Sequence, residues 1–327
     1  MIKHYAITAF VFWFLTLAPG PQLAVTQAEP VVLKAYSAFP QTDHSNKPYL
    51  DFIAAISERS KGGVKVDFVR GPEAIPPFQA LSPLSKGVID LAFMPGAYFS
   101  GQVPEAMVDL FVQGEEDKIF RETGVEDFLN KVLLKKANVH SLAWMWMGEP
   151  FMLLGNTKLE GADFNGLKVR SISLTNPWVK SLGGTPVRVP GGERYITLQK
   201  GLVDLAMAPV SSIANERLYE VSKYLIYPSF FEVRDYVLVN ADTWEKVPPE
   251  LQKMVQDAAL EYEKKARQFA QGKAVEAEKL LLKKLERVEL PPEEAKKFLN
   301  TLNEVAWAFV IERTPENGQA LKKMLSQ

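Results

Sequence analysis

The chain contains no cysteine. That excludes disulfides, thiolate nucleophiles and cysteine-ligated metal centres. An exported protein without cysteine depends on packing for its stability, which a chain of 327 residues can supply, and it fits a bacterial periplasm better than a eukaryotic extracellular space. Histidine is nearly missing too: His4, His44 and His140 are the only three. His140 opens an apolar strand and reads as a structural histidine. His44, in QTDHSNK, either caps the following helix or faces a cleft. Charge of one sign is not in excess, since 38 basic residues stand against 39 acidic ones. No global field draws such a protein to nucleic acid or to an anionic membrane. HExxH, GxSxG and a phosphate-binding glycine loop are absent, and the Gly-Gly pairs at 62, 183 and 191 read as helix ends or turns. Neither an enzyme nor a cofactor nor a bound metal is expected.

Long apolar runs are confined to the start. Lys3 precedes an apolar core, Tyr5–Leu17, and Thr26-Gln27-Ala28 offers small residues for cleavage. This is the grammar of a secretory signal over residues 1–28, and the run is too short to span a membrane comfortably. The expected mature protein is periplasmic, and its length suggests two domains.

What is there, above all, is an echo. Lys86–Pro95 reads KGVIDLAFMP and Lys200–Pro209 reads KGLVDLAMAP, with Lys, Gly, Asp, Leu, Ala and Pro at the same places. Each copy writes a helix end, a short buried strand and a loop. Two similar lobes follow, and two facing lobes make a cleft. Asp90 and Asp204 look like paired carboxylates, but their matching contexts argue that each does the same structural task in its own lobe.

Periodicity gives alternating strands and helices. Strands are expected at 31–35, 64–69, 88–93, 140–147, 151–155, 167–171, 186–189, 202–207, 235–240 and 288–290. Helices are expected at 46–61, 115–136, 176–182, 193–200 and 215–223. A long one is expected over 248–285, broken at Gly272, and another over 293–313. The fold class is therefore α/β. Ligands in such sheets sit beyond the carboxyl ends of strands, which gathers Met94-Pro95, Trp146-Met147, Arg170-Ser171 and Met207–Pro209 at one mouth. Trp144 and Trp146, two apart on a strand, should face one side. Of Phe93, Tyr98, Phe99, Phe230 and Phe231, most are core and a few line an apolar pocket. Arg170 ends its strand, where its guanidinium either grips a carboxylate or pairs with an acid such as Glu149.

The segment 163–223 contains FNGLKVRS, SLGGTPVRVPGGERYITLQKGLVDLAMAP and YEVSKYL. It resembles the DctP-type solute-binding proteins of tripartite ATP-independent periplasmic (TRAP) transporters. LKAYSAFPQTD, SKGGVKVDF, GPEAIPPFQAL, KGVIDLAF, the VPEA loop and NADTWEKVPPELQKMVQDAA extend the resemblance over nearly the whole mature chain. It implies a two-lobed periplasmic binding protein with a hinge, crossover strands and a long helix spanning both lobes. Lobe I would be 29–148 plus about 234–273, and lobe II 149–233 plus about 274–327. The ligand would be a small organic acid, handed to TRAP permease membrane subunits by a protein that acts as a monomer; a periplasmic sensor component is the alternative. Arg170 would grip the carboxylate, with Ser173, Met94, Pro95, Met207, Ala208 and Pro209 nearby. Glu73, Tyr98, Trp146 and Phe231 complete the expected ligand-binding set.

Three departures from the family pattern stand out. Ala208 replaces the Asn of many sugar-acid binders, Glu149-Pro150-Phe151 stands where a further Arg is common, and Leu205 stands where Gly is frequent. Polar anchors are thus replaced by apolar bulk. A polyhydroxylated acid would leave hydroxyls unpaired at about 1–3 kcal/mol each. A monocarboxylate with an apolar remainder is favoured, with Arg234 a possible replacement cation. Glu73 and Asp43 offer oxygens for a metal-bridged ligand, though without ligand spacing.

Overall fold

The computed structural model describes residues 30–111 and 117–325, so the expected signal segment lies outside the described residues. The first strands are β1 (Val31–Ser37), β2 (Val64–Arg70) and β3 (Leu91–Pro95), followed by a long strand β4 (Val139–Gly155). Then come β5 (Lys168–Ser171), β6 (Thr185–Arg188), β7 (Leu205–Pro209), β8 (Tyr224–Tyr227), β9 (Glu232–Asn240) and β10 (Glu286–Glu289).

β2-β1-β3 is a parallel unit, and β6-β5-β7 repeats it. Antiparallel β9 and β4 join them in the order β2-β1-β3-β9-β4-β7-β5-β6, with β8 and β10 beside the far end of β4. Parallel strands bury both faces and so read as unbroken apolar runs. LAFMP of β3 and LAMAP of β7 do so.

The echo has a structural cause. Asp90 accepts the backbone N–H of Lys34 at 2.9 Å and donates its own N–H to the Lys34 carbonyl at 2.8 Å. Asp204 does the same with Lys168, at 2.7 Å both ways. Each Asp thus ties the start of its strand to the neighbouring parallel strand. Gly87 and Gly201, at φ +68° and +62°, supply the left-handed turn before it. The strands therefore begin after the Asp, at Leu91 and Leu205, rather than at 88 and 202.

Other expectations change as well: the helix expected over 215–223 is only the short turn Leu218–Glu220, after a helix that ends at Asn215. Residues 140–147 and 151–155 belong to one strand, β4, whose pairing with β9 slips between Met145 and Met147 and again before Pro150. Trp146 (φ +59°) and Gly148 (φ +76°) take left-handed backbone there. The slip puts Trp144 and Trp146 on opposite faces. Trp144 packs with Phe120 and Tyr236, and Trp146 with Phe269 and His44. The long helix Pro249–Leu281 runs through Gly272 unbroken. Its buried Ala258, Ala259, Ala266, Ala270, Ala274 and Ala277 let it pack along β4 and across both halves, touching the helices Asn46–Arg59 and Val210–Asn215. The helix Pro315–Leu325 packs on Val125–Ala137 and Pro104–Phe111, beside the first unit. Among the described residues no helix is long and apolar enough to cross a membrane.

Candidate functional site

β3 and β7 end at Pro95 and Pro209, and each proline leads straight into a short helix, Gly96–Phe99 or Val210–Asn215. The two strand ends face each other across β9 and β4. Between them lies a cavity of about 70 Å³, measured as space open to water centres. Phe39, Tyr98, Trp146, Phe151, Ile172, Leu110 and both prolines give it apolar walls. Arg170, Arg194, Arg234, Asp43 and Asp235 give it charge.

The three arginines are held differently. Arg194 forks onto Glu216, with Nε donating to Oε2 at 2.9 Å and Nη2 donating to Oε1. Arg234 is buried, stands 4.0 Å from Glu232 and lies 5.4 Å from the centre of the Phe120 ring. Arg170, at the end of β5, is only 2% exposed. Its Nε and Nη2 donate to the Val189 carbonyl at 3.0 and 2.8 Å, and its Nη1 to the Met207 carbonyl at 3.0 Å. A guanidinium has five N–H groups. Two therefore remain, one on each terminal nitrogen, which is the number a bidentate carboxylate takes. Among the described residues no carboxylate lies within ion-pair distance of Arg170. Burial, and next the Arg194 charge, lower its pKa to about 10. A buried charge without a counter-charge is unfavourable, and a bound anion would relieve it.

The opposite wall is acidic. Burial works to raise the Asp43 pKa, but the His44 ring 3.3 Å away and two hydrogen bonds from Ser45 outweigh burial and lower the pKa. His44 reaches across to Ser211 Oγ at 2.8 Å, so it neither caps its helix nor lines the cavity. Glu149 is not a partner of Arg170. It is buried and accepts from Trp146 Nε1 at 2.5 Å and from the Ser211 N–H, tying the bulged part of β4 to the helix after β7. Among the described residues no group of three or more His, Asp or Glu side chains is arranged to hold a metal ion.

The sequence profile of bacterial extracellular solute-binding protein family 7 (DctP) matches residues 36–313. The chain belongs to that family. A solute-binding protein of Albidiferax ferrireducens is 26% identical over 294 residues, 86% of this chain and 87% of that one. A monocarboxylate 2-oxoacid-binding periplasmic protein of Nostoc is 24% identical over 219 residues, 63% of this chain and 59% of that one. A TRAP periplasmic solute-binding protein from Rhodoferax ferrireducens, solved with bound malonate, superposes with a TM-score of 0.80 at 24% identity, covering 90% of this chain and 97% of that one. Both of the proteins just named with a solute bind a small acid, malonate in the Rhodoferax protein and a monocarboxylate 2-oxoacid in the Nostoc one.

In this DctP-family chain, five residues of the expected binding set come together in the cavity wall: Arg170, Pro95, Tyr98, Trp146 and Pro209. The other six lie elsewhere. Met94 and Ala208 point away from the mouth into the core on their strands. Met207 is buried and contributes its carbonyl to Arg170, while its sulfur accepts from Thr175 at 3.3 Å. Ser173 lies past the turn after β5, in an outer groove with Asn176 and Lys180, and Ile172 takes the inner place. Glu73 is exposed and accepts the Gly71 N–H at 2.9 Å, closing its own turn. Phe231 opens onto a separate groove with Phe230 and Leu299. The wall residues that sequence reasoning missed, Phe39, Arg194 and Ser212 among them, sit on loops and first helical turns where no periodicity marks them. GGER, a turn into a helix, was the available signal for Arg194.

Proposed function

We propose that this protein captures a small monocarboxylate with a largely apolar remainder and delivers it to a TRAP permease. Residues 1–28 direct export, and the lobes close over the ligand about the points where β4 and β9 cross. The observation that carries the reading is the buried Arg170 with two unused N–H groups and, among the described residues, no carboxylate beside it. Apolar walls support an apolar remainder, and the 2-oxoacid binder of Nostoc supports a monocarboxylate.

A thermal-shift series tests this with short monocarboxylates, 2-oxoacids, dicarboxylates and hexuronates. At a hundredfold excess over Kd, a true ligand stabilises the protein by about 2.7 kcal/mol. The short monocarboxylates should give the largest shifts. Larger shifts with hexuronates or dicarboxylates would overturn the monocarboxylate reading.

A further inference from the structure

The loop after β6 makes contact with the opposite half of the molecule on both sides of Val189. On one side Arg188 places its guanidinium carbon 3.9 Å from the centre of the Phe78 ring. On the other, the Gly191 N–H donates to Tyr98 Oη at 3.2 Å. Phe78 and Tyr98 belong to the β2-β1-β3 unit and pack edge to face at 4.7 Å. Phe78 lies in the Pro-rich stretch GPEAIPPF, in the turn Pro77–Gln79. Arg188 is exposed and makes no ion pair among the described residues, so the ring is the partner of its charge. Neither Arg188 nor Phe78 lines the cavity. Between the two contacts, the Val189 carbonyl takes two N–H groups from Arg170.

We propose that Arg188 and Phe78 form a clasp across the cleft, and that Arg170 sets its grip through Val189. Both are positioning residues for ligand retention and do not touch the ligand. The physical sequence is short. A carboxylate that orients the Arg170 guanidinium also orients the Val189 carbonyl it holds. That carbonyl fixes the two-residue span that presents Arg188 to Phe78 and the Gly191 N–H to Tyr98. The coupling to ligand rests on the carboxylate reading above. The clasp itself does not, because the Arg188–Phe78 contact lies outside the cavity.

The absence of cysteine makes the test clean. Nitroxide labels on Glu58→Cys and Lys200→Cys, two exposed sites on the two halves, report the interlobe distance by pulsed electron resonance. Without ligand, the parent protein should show a short-distance component. Arg188→Ala or Phe78→Ala should lower its ratio to the long component roughly two- to fivefold, the range of an exposed cation–π contact. The double variant should go no further than either single one, and melting curves should confirm that all remain folded. With 2-oxobutyrate as probe, each variant should release it two- to fivefold faster at a nearly unchanged association rate. The proposal is overturned if the parent lacks the short component, if neither variant changes it, or if the two substitutions act additively. Should 2-oxobutyrate fail to bind the parent protein, the ligand reading is at fault and the ligand-free distances alone decide the clasp.

Discussion

Replacing Arg170 with methionine is expected to remove acid binding while leaving the ligand-free fold nearly as stable as before. Burial holds the Arg170 pKa near 10, against an ordinary value above 12. At about 1.4 kcal/mol per pH unit, the protein's own groups disfavour the charged form by roughly 3 kcal/mol. Methionine removes that charge. It also removes three hydrogen bonds to the Val189 and Met207 carbonyls, at roughly 1 kcal/mol each. The two effects nearly offset, so stability in urea should change by no more than about 2 kcal/mol. Binding has no such compensation. Truncating one side of a buried charge pair costs about 2–5 kcal/mol, so Kd should rise between roughly thirtyfold and several thousandfold. The sign of the pH dependence gives an internal check. A base with a lowered pKa loses its proton first in the folded state, so its unfavourable contribution is constant below about pH 10 and is relieved only above it. The stability difference between parent and variant should therefore be flat from pH 6 to 9. Titration calorimetry and urea melts decide the matter. Affinity within fivefold of the parent, or a stability loss beyond about 4 kcal/mol, would refute the reasoning, the latter by making Arg170 a structural tie.

Two more predictions concern the frame. Asp90→Ala and Asp204→Ala should each cost about 1–3 kcal/mol in urea melts, because each leaves a strand N–H without its carboxylate. The loss at Asp90 should be the larger, since it also accepts from Thr243 Oγ1 at 2.9 Å; a neutral result at either site contradicts the shared role. Burial raises the Glu149 pKa, so the folded state holds that proton more tightly than the unfolded one. Stability from this group is therefore greatest below the ordinary carboxyl range and falls as pH rises through the raised value. Glu149→Gln lacks that slope, so the variant should gain on the parent between pH 4 and 8, and parallel stability–pH curves would count against it.

Much of the fold was legible in the sequence because the two parallel units repeat. KGVIDLAFMP and KGLVDLAMAP carry the turn glycine, the tying Asp and the buried strand in an order that survives without any tertiary knowledge. The strand starts were placed too early because the Asp side chain, not the strand backbone, makes the first tie to the neighbouring strand. The continuity of β4 was hidden for a different reason. Gly148-Glu149-Pro150 reads as a break, whereas the chain absorbs the irregularity as a bulge with left-handed backbone at Trp146 and Gly148. The site was legible where a residue ends a strand, as Arg170, Pro95 and Pro209 do. It was not legible where alternation or a loop decides which neighbour faces inward. Ile172 rather than Ser173 meets the cavity, and Phe39 and Arg194 arrive from a loop and a first helical turn.

The central claim is that Arg170, buried and without a counter-charge among the described residues, takes a ligand's carboxylate. It is tested most directly by titrating the parent protein with the acid that gives the largest thermal shift and with the primary amide of that same acid. The two differ by one charge and almost nothing in shape. Loss of that charge should weaken binding by about thirtyfold or more. Equal affinity for acid and amide would contradict the claim.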